Sequence, residues 1–200
     1  MVKKLSLCIM ALCMACMTTG LLAQELTDDV AFLRVGYQWN TVNFDKNLPV
    51  IGDNLENNGI AIEGEYNLNL GGWLLGVSLE WARLVNDDDS DFVFYYLSPM
   101  ISLKFIAAGG LYIGPGISAR YMMSADTPSG VDEPDKEVDL WVNAVAGWMT
   151  PIAEAVYLDV QARFGWNLTK NQFEDVGDID NNYDYAVYVG IGTRTRSTGI

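Results

Sequence analysis

Period-two alternation of apolar and polar residues runs through most of this chain, and it leaves few folds open. In residues 156–166, VYLDVQARFGW, the apolar set is Val156, Leu158, Val160, Ala162, Phe164 and Trp166, and the set between them carries Asp159, Gln161 and Arg163. Successive side chains of a strand point to opposite faces, so this stretch predicts a strand with one apolar and one charged face. Eight segments share the pattern, at about 32–40, 59–70, 73–85, 92–106, 111–123, 138–149, 155–168 and 183–194. Several run to 12 residues or more, where strands of soluble domains usually have roughly 5–6 residues. A strand that crosses a membrane needs about 9–11. No segment has helical periodicity, and no apolar run after residue 23 is long enough for a spanning helix.

The connections alternate in kind. Gly71-Gly72, Ala107-Ala108-Gly109-Gly110 and Thr150–Glu154 are short, and Gly71-Gly72 suits the positive φ angles of a two-residue hairpin. The stretches 41–58, 86–91, 124–137 and 169–182 are longer and polar, with charges of −2, −4, −4 and −3. In an up-and-down sheet, alternate connections lie at the same end. Nearly all the net charge therefore gathers at one end, with short turns at the other, which is the layout of a membrane barrel.

The first 23 residues are expected to be a cleaved signal peptide, leaving residues 24–200 as one barrel domain. Lys3 and Lys4 precede an apolar run from Leu5 to Met17, and Ala23 offers a small residue for cleavage before Gln24. All three cysteines (Cys8, Cys13, Cys16) lie in this segment, and none follows a lipoprotein-type processing box. The mature chain then has no thiol and no disulfide. Its formal charge moves from −14 to −16 without Lys3 and Lys4, so the basic footprint of a nucleic-acid binder is missing.

A closed sheet can place its apolar face inside, as lipocalins do, or outside against lipid. One face carries Ile60, Ile62, Tyr66, Leu68, Trp73, Leu75, Val77, Leu79, Trp81, Leu140, Val142, Trp148, Tyr185, Val187, Val189 and Ile191. Eight strands enclose room for only a filling of side chains, and so many large residues do not fit there. The opposite face is small and charged. Gly36, Gly76, Ser78, Ser98, Gly116, Gly165, Gly190 and Gly192 alternate with five basic residues (Arg34, Lys104, Arg120, Arg163, Arg194) and six acidic ones (Glu63, Glu65, Glu80, Asp139, Asp159, Asp184). Small residues and near-balanced charge suit a crowded lumen, where unpaired buried charge is costly. The apolar face therefore turns outward. The lumen network is assigned to Glu63, Glu65, Glu80, Arg120, Asp159, Gln161 and Arg163.

Aromatic residues sort by strand end. Trp73, Phe105 and Trp148 lie near the short turns, while Trp39, Tyr95, Tyr121, Trp166 and Tyr183 or Tyr185 lie near the long loops. Two belts of this kind are expected at the two membrane interfaces. Pro99 and Pro115 interrupt the fourth and fifth strands, and each removes a ladder hydrogen bond. A local bulge is expected there, a feature able to exchange inside and outside for the residues beyond it.

Two stretches carry a resemblance. YLSPMISLKFIAAGGLYIGPGISARY (96–121) joins an aromatic-rich strand, a tight turn and a Gly-Pro-Gly segment; WVNAVAGWMTPIAEAVYLDVQARFGWNL (141–168) is a hairpin of apolar–glycine pattern. The chain resembles the small outer-membrane β-barrel domain family of diderm bacteria, the porin-like eight-stranded group, over about 30–195. The resemblance implies an all-β, eight-stranded antiparallel up-and-down transmembrane β-barrel in an outer membrane, inserted by the barrel assembly machinery. Such barrels often end in an aromatic residue read by that machinery. This chain ends RTRSTGI, so either the signal lies earlier, between Tyr188 and Ile191, or the recognition rule differs.

Gly71-Gly72 makes paired residue numbers sum to 143, which sets Glu63 against Glu80 and Glu65 against Ser78. Opposed carboxylates repel unless a cation lies between them or one holds a proton. Arg34, Arg120 or Arg163 reaching across the lumen would supply that cation, and an acid/base pair or proton-sensitive gate is the other reading. The absence of histidine removes the usual general base of membrane-barrel hydrolases, so no catalytic residue, cofactor or metal ligand is assigned. Asp178, Asp180, Asn182 and Asp184 recur at every second position like the start of a calcium loop, but the required Gly and Glu are missing at 183 and 189. The expectation is a monomer contacting outer-membrane lipid and no nucleic acid, with acidic loops presented to surface ligands. The competing expectation is a narrow or gated channel for small solutes.

Overall fold

The computed structural model describes residues 28–48, 52–89, 91–127, 137–169 and 179–195; the expected signal peptide lies outside them. The described chain forms β1 (Asp29–Leu48), β2 (Gly52–Asn69), β3 (Trp73–Asn86), β4 (Val93–Ile106), β5 (Leu111–Asp126), β6 (Val138–Ala153), β7 (Val156–Asn167) and β8 (Ile179–Thr195). Each strand pairs antiparallel with its sequence neighbours, and β8 returns to β1, so the sheet is a closed barrel.

Alternation decides which face is which. Leu33, Val35, Ile60, Val77, Leu79, Ile101, Ile113, Ile117, Val189 and Ile191 stand outward and exposed, while the residues between them are buried. An exposed band of bulky apolar side chains on every strand has lipid as its solvent. This is an eight-stranded transmembrane barrel.

The short turns set register. Gly71 and Gly72 take φ of 70° and 95°, values that favour glycine. Pairs across β2 and β3 keep the sum of 143 from Asn69↔Leu74 to Asn57↔Asn86, so Glu63 lies opposite Glu80 and Glu65 opposite Ser78. Between β4 and β5 a short 3-10 turn, Ala108–Gly110, completes the reversal.

Two expectations are corrected. The stretch 41–58, read as a loop, is mostly paired strand, with Thr41↔Glu56, Val42↔Leu55 and Asn43↔Asn54 extending β1 and β2. Its alternation is inverted: Val42, Phe44 and Leu55 are buried inside, while Asp53, Asn54 and Glu56 are exposed outside. Strands that leave the bilayer meet water on their outer face, so the polar set moves outward. The prolines produce no bulge and no exchange of faces. Pro99 and Pro115 point outward, and β4–β5 pairs sum to 218 on both sides of each, with the ladder lapsing at each proline and the position next to it. The register shift on this seam lies farther toward the loops, where Tyr95 pairs with Ser124 and Tyr96 with Met122. Met123 is the extra residue, and beyond it Ala125 rather than Ser124 turns inward.

Candidate functional site: the charged lumen

The inward faces bring together a network that crosses the barrel. Arg34 on β1 is its centre. Its Nε donates to Asp159 Oδ2 on β7 at 2.6 Å, and its Nη1 donates to Glu63 Oε1 and Glu65 Oε2 on β2, both at 2.7 Å. Lys104 on β4 donates to Glu65 Oε1 at 2.6 Å. Arg163 on β7 holds Glu80 Oε2 on β3 at 2.6 Å and stands 3.6 Å from Glu63 Oε2. β7 and β3 are four strands apart in a ring of eight, so this ion pair joins opposite walls. The Tyr188 hydroxyl also donates to Glu80. Gln161 Nε2 donates to Glu63 at 3.2 Å, and Tyr112 donates to Asp159 at 3.0 Å.

The opposed pair Glu63 and Glu80 is thus bridged by a cation, with Arg163 reaching from the far wall and Arg34 taking the other oxygen of Glu63. All these charged groups are at most 5% exposed. Burial in low dielectric makes each pair costly to break, because the partner left behind has no water.

Arg120 lies in a second group of the lumen. It pairs with Asp184 on β8, to which Gln38 also donates at 2.7 Å, and its guanidinium lies 4.0 Å from the Trp141 ring centre. Arg194, counted among the lumen charges, sits partly exposed at the short-turn end. There it pairs with Asp28 at 3.1 Å and donates to Tyr157 at 2.9 Å. The remaining interior bases are Arg34, Lys104, Arg120 and Arg163.

The carboxylate repeat of 178–184 is not assembled as a site. Asp178 lies outside the described residues. Asp180 is exposed on a bulge of β8, where Asn43 pairs with Asn181 and Phe44 with Ile179, and Asn182 and Asp184 turn inward.

Sequence reasoning missed two parts of the interior. The inward aromatics Tyr112, Tyr188 and Tyr96 went unassigned, although Tyr188 shares parity with Asp184 and Gly190, and Tyr112 with Gly116. Also missed were apolar clusters at both ends of the lumen. Val42, Phe44, Leu55, Leu84, Phe92, Phe94 and Met122 pack at the loop end. Val30, Phe32, Leu74, Met100, Val145, Met149 and Tyr157 pack at the short-turn end.

The assigned interface aromatics all lie on the outer face. Trp39 stacks on Tyr185 at 5.1 Å and Trp166 on Tyr183 at 6.2 Å near the loops, where Tyr95 and Tyr121 also lie. Trp73 meets Phe105 edge-on at 5.4 Å near the short turns, and Trp148 donates its indole N–H to Gly109 O at 2.8 Å.

No protein-family model matches this chain, and neither does any curated protein sequence. Among solved structures it is similar to Neisserial surface protein A, with a TM-score of 0.55, 14% identity and 82% of this chain covering 97% of that one. It is also similar to the outer membrane protein OprG from Pseudomonas aeruginosa, with a TM-score of 0.49, 13% identity and 85% of this chain against 97% of that one. For Ail, the attachment invasion locus protein of Yersinia pestis, the TM-score is 0.44 at 13% identity, over 84% of this chain and all of that one. The likeness to Neisserial surface protein A, at 14% identity, shows the fold alone.

Proposed function

We propose that this chain, which has the fold of the small outer-membrane β-barrels, is exported to an outer membrane and stands there as a closed barrel. Its role is structural or surface-interacting: it holds acidic loops outward for contact with host, matrix or lipid. The observation that carries the closed reading is the Arg163–Glu80 pair, which joins opposite walls of an eight-stranded lumen. Arg34 fills the space beside it with three carboxylate partners. Eight strands leave only enough interior for side chains, and side chains fixed by buried ion pairs do not yield a water path. Apolar clusters at both ends add to the same reading.

A non-enzymatic role has the support of composition, since a chain without histidine lacks the usual general base. Planar-bilayer recording on the purified barrel tests closure. The expected result is a silent membrane; steady open channels would replace this reading with a narrow solute channel.

A further inference from the structure

The central network is one cation short. Glu63, Glu65, Glu80 and Asp159 face Arg34, Lys104 and Arg163, four carboxylates against three bases, all essentially out of water. A net buried charge of this kind is costly unless something compensates it.

Side-chain atoms without a hydrogen-bond partner occur in this network on Glu63, Glu80, Arg34 and Arg163, and the one on Glu80 adjoins two serines in the same condition. Glu80 Oε2 is held by Arg163 and Tyr188, but Glu80 Oε1 has no hydrogen-bond partner. The hydroxyls of Ser98 and Ser78 have none either. Ser98 is the cross-strand partner of Glu80 on β4, and Ser78 is its inward neighbour on β3. The three residues are 1%, 4% and 5% exposed for Glu80, Ser98 and Ser78. Directly opposed residues have Cβ atoms roughly 4.5–5.5 Å apart. Three oxygens thus sit on adjoining inward positions, and none of them hydrogen-bonds another. Oxygens that surround a hard cation stand roughly 2.3–2.6 Å from it and do not hydrogen-bond one another.

We propose that Glu80, Ser98 and Ser78 form an internal site for a monovalent hard cation, sodium being the natural occupant. The donors are all oxygen, which suits a hard ion. The charge to be compensated is one unit, and the second carboxylate of the row, Glu63, is already shared between Arg34 and Arg163; a divalent ion would overcompensate. The site is a counter-ion position in the filled lumen and does not depend on what the loops contact.

The test uses the full-length barrel purified in detergent. Its melting midpoint, read from heat-modifiable gel mobility, is compared in sodium chloride and in N-methyl-D-glucamine chloride at equal ionic strength. A ligand that binds only the folded state raises the midpoint by mass action, so an upward shift of a few degrees in sodium is expected. The shift should vanish in the Ser78→Ala/Ser98→Ala double variant and in Glu80→Gln. The serine variant keeps the test decisive should Glu80→Gln fail to fold. In crystals soaked in thallous nitrate, an anomalous peak is expected beside Glu80. Equal midpoints in the two salts, a sodium shift that survives in the serine variant, or ordered water alone beside Glu80 would overturn the proposal. Bilayer conductance is read separately, so failure of the closed-barrel reading is distinguishable from failure of this one.

Discussion

Arg34 is the residue on which the interior depends most, because one guanidinium serves Asp159, Glu63 and Glu65 on two other strands. Arg34→Met leaves those carboxylates in a dry interior with fewer partners. The cost of breaking such a buried pair is about 3–5 kcal/mol; urea unfolding in micelles should register a loss of that size. The glycines opposite large inward side chains make a second case. A Cβ on Gly192 would overlap the Phe32 ring, and Phe32 is its direct cross-strand partner on β1. Gly36 lies under Tyr188 in the same way. Gly64 faces outward with open space about it. Gly192→Val should therefore lower the melting midpoint sharply or prevent folding, while Gly64→Ala should leave the midpoint within error. Equal effects would mean that the interior is not packed as described.

The elements that formed where their pattern indicated are those inside the bilayer. There one rule holds along the whole strand, apolar outward and polar inward, and Gly71-Gly72 sets register through local backbone geometry alone. Glu63 opposite Glu80 followed from that turn by counting. Which base bridges them could not be counted, because reach across the lumen depends on barrel closure and stagger. Arg34, Arg120 and Arg163 were equal candidates by parity, and Arg120 turned out to sit with Asp184. The prolines misled for a different reason. A bulge is one way to accommodate a missing N–H, but here the β4–β5 ladder simply lapses and keeps its register. That seam should be the weakest in the barrel. Amides around 98–104 and 114–120 on it are expected to exchange with deuterium faster than those of the unbroken β1–β8 seam between Val30 and Asn43. Uniform protection around the ring would count against this.

For the molecule as a whole, the inversion of pattern above Asn40 marks where the barrel leaves the lipid. Below it the outer face is apolar; above it Phe44 and Leu55 are inside and Asn54 and Glu56 outside. The same two-residue period thus encodes opposite burial in two solvents, and a reader who assumes one solvent assigns the protruding hairpin to a loop. A practical consequence follows for residues 41–58. In folded protein the paired arms of this hairpin, 41–48 and 52–58, should resist limited proteolysis, whereas Phe44→Asp, which puts a charge into the loop-end cluster, should make them cleavable and leave the lipid-spanning strands intact. Cleavage of the unaltered arms at the same rate would show that the inner cluster does not hold them.

Arg163 and Glu80 come from strands that are far apart in the chain's order of pairing and meet only across the finished ring. A half-built, still open sheet has neither this pair nor the Arg34–Asp159 pair, which spans the β1–β8 edge where the ring must join. Until that edge seals, the carboxylates of β2 and β3 lack the guanidinium from β7. The electrostatic reward thus arrives in the last step of assembly, which makes closure cooperative and discourages a sheet that stops one strand short.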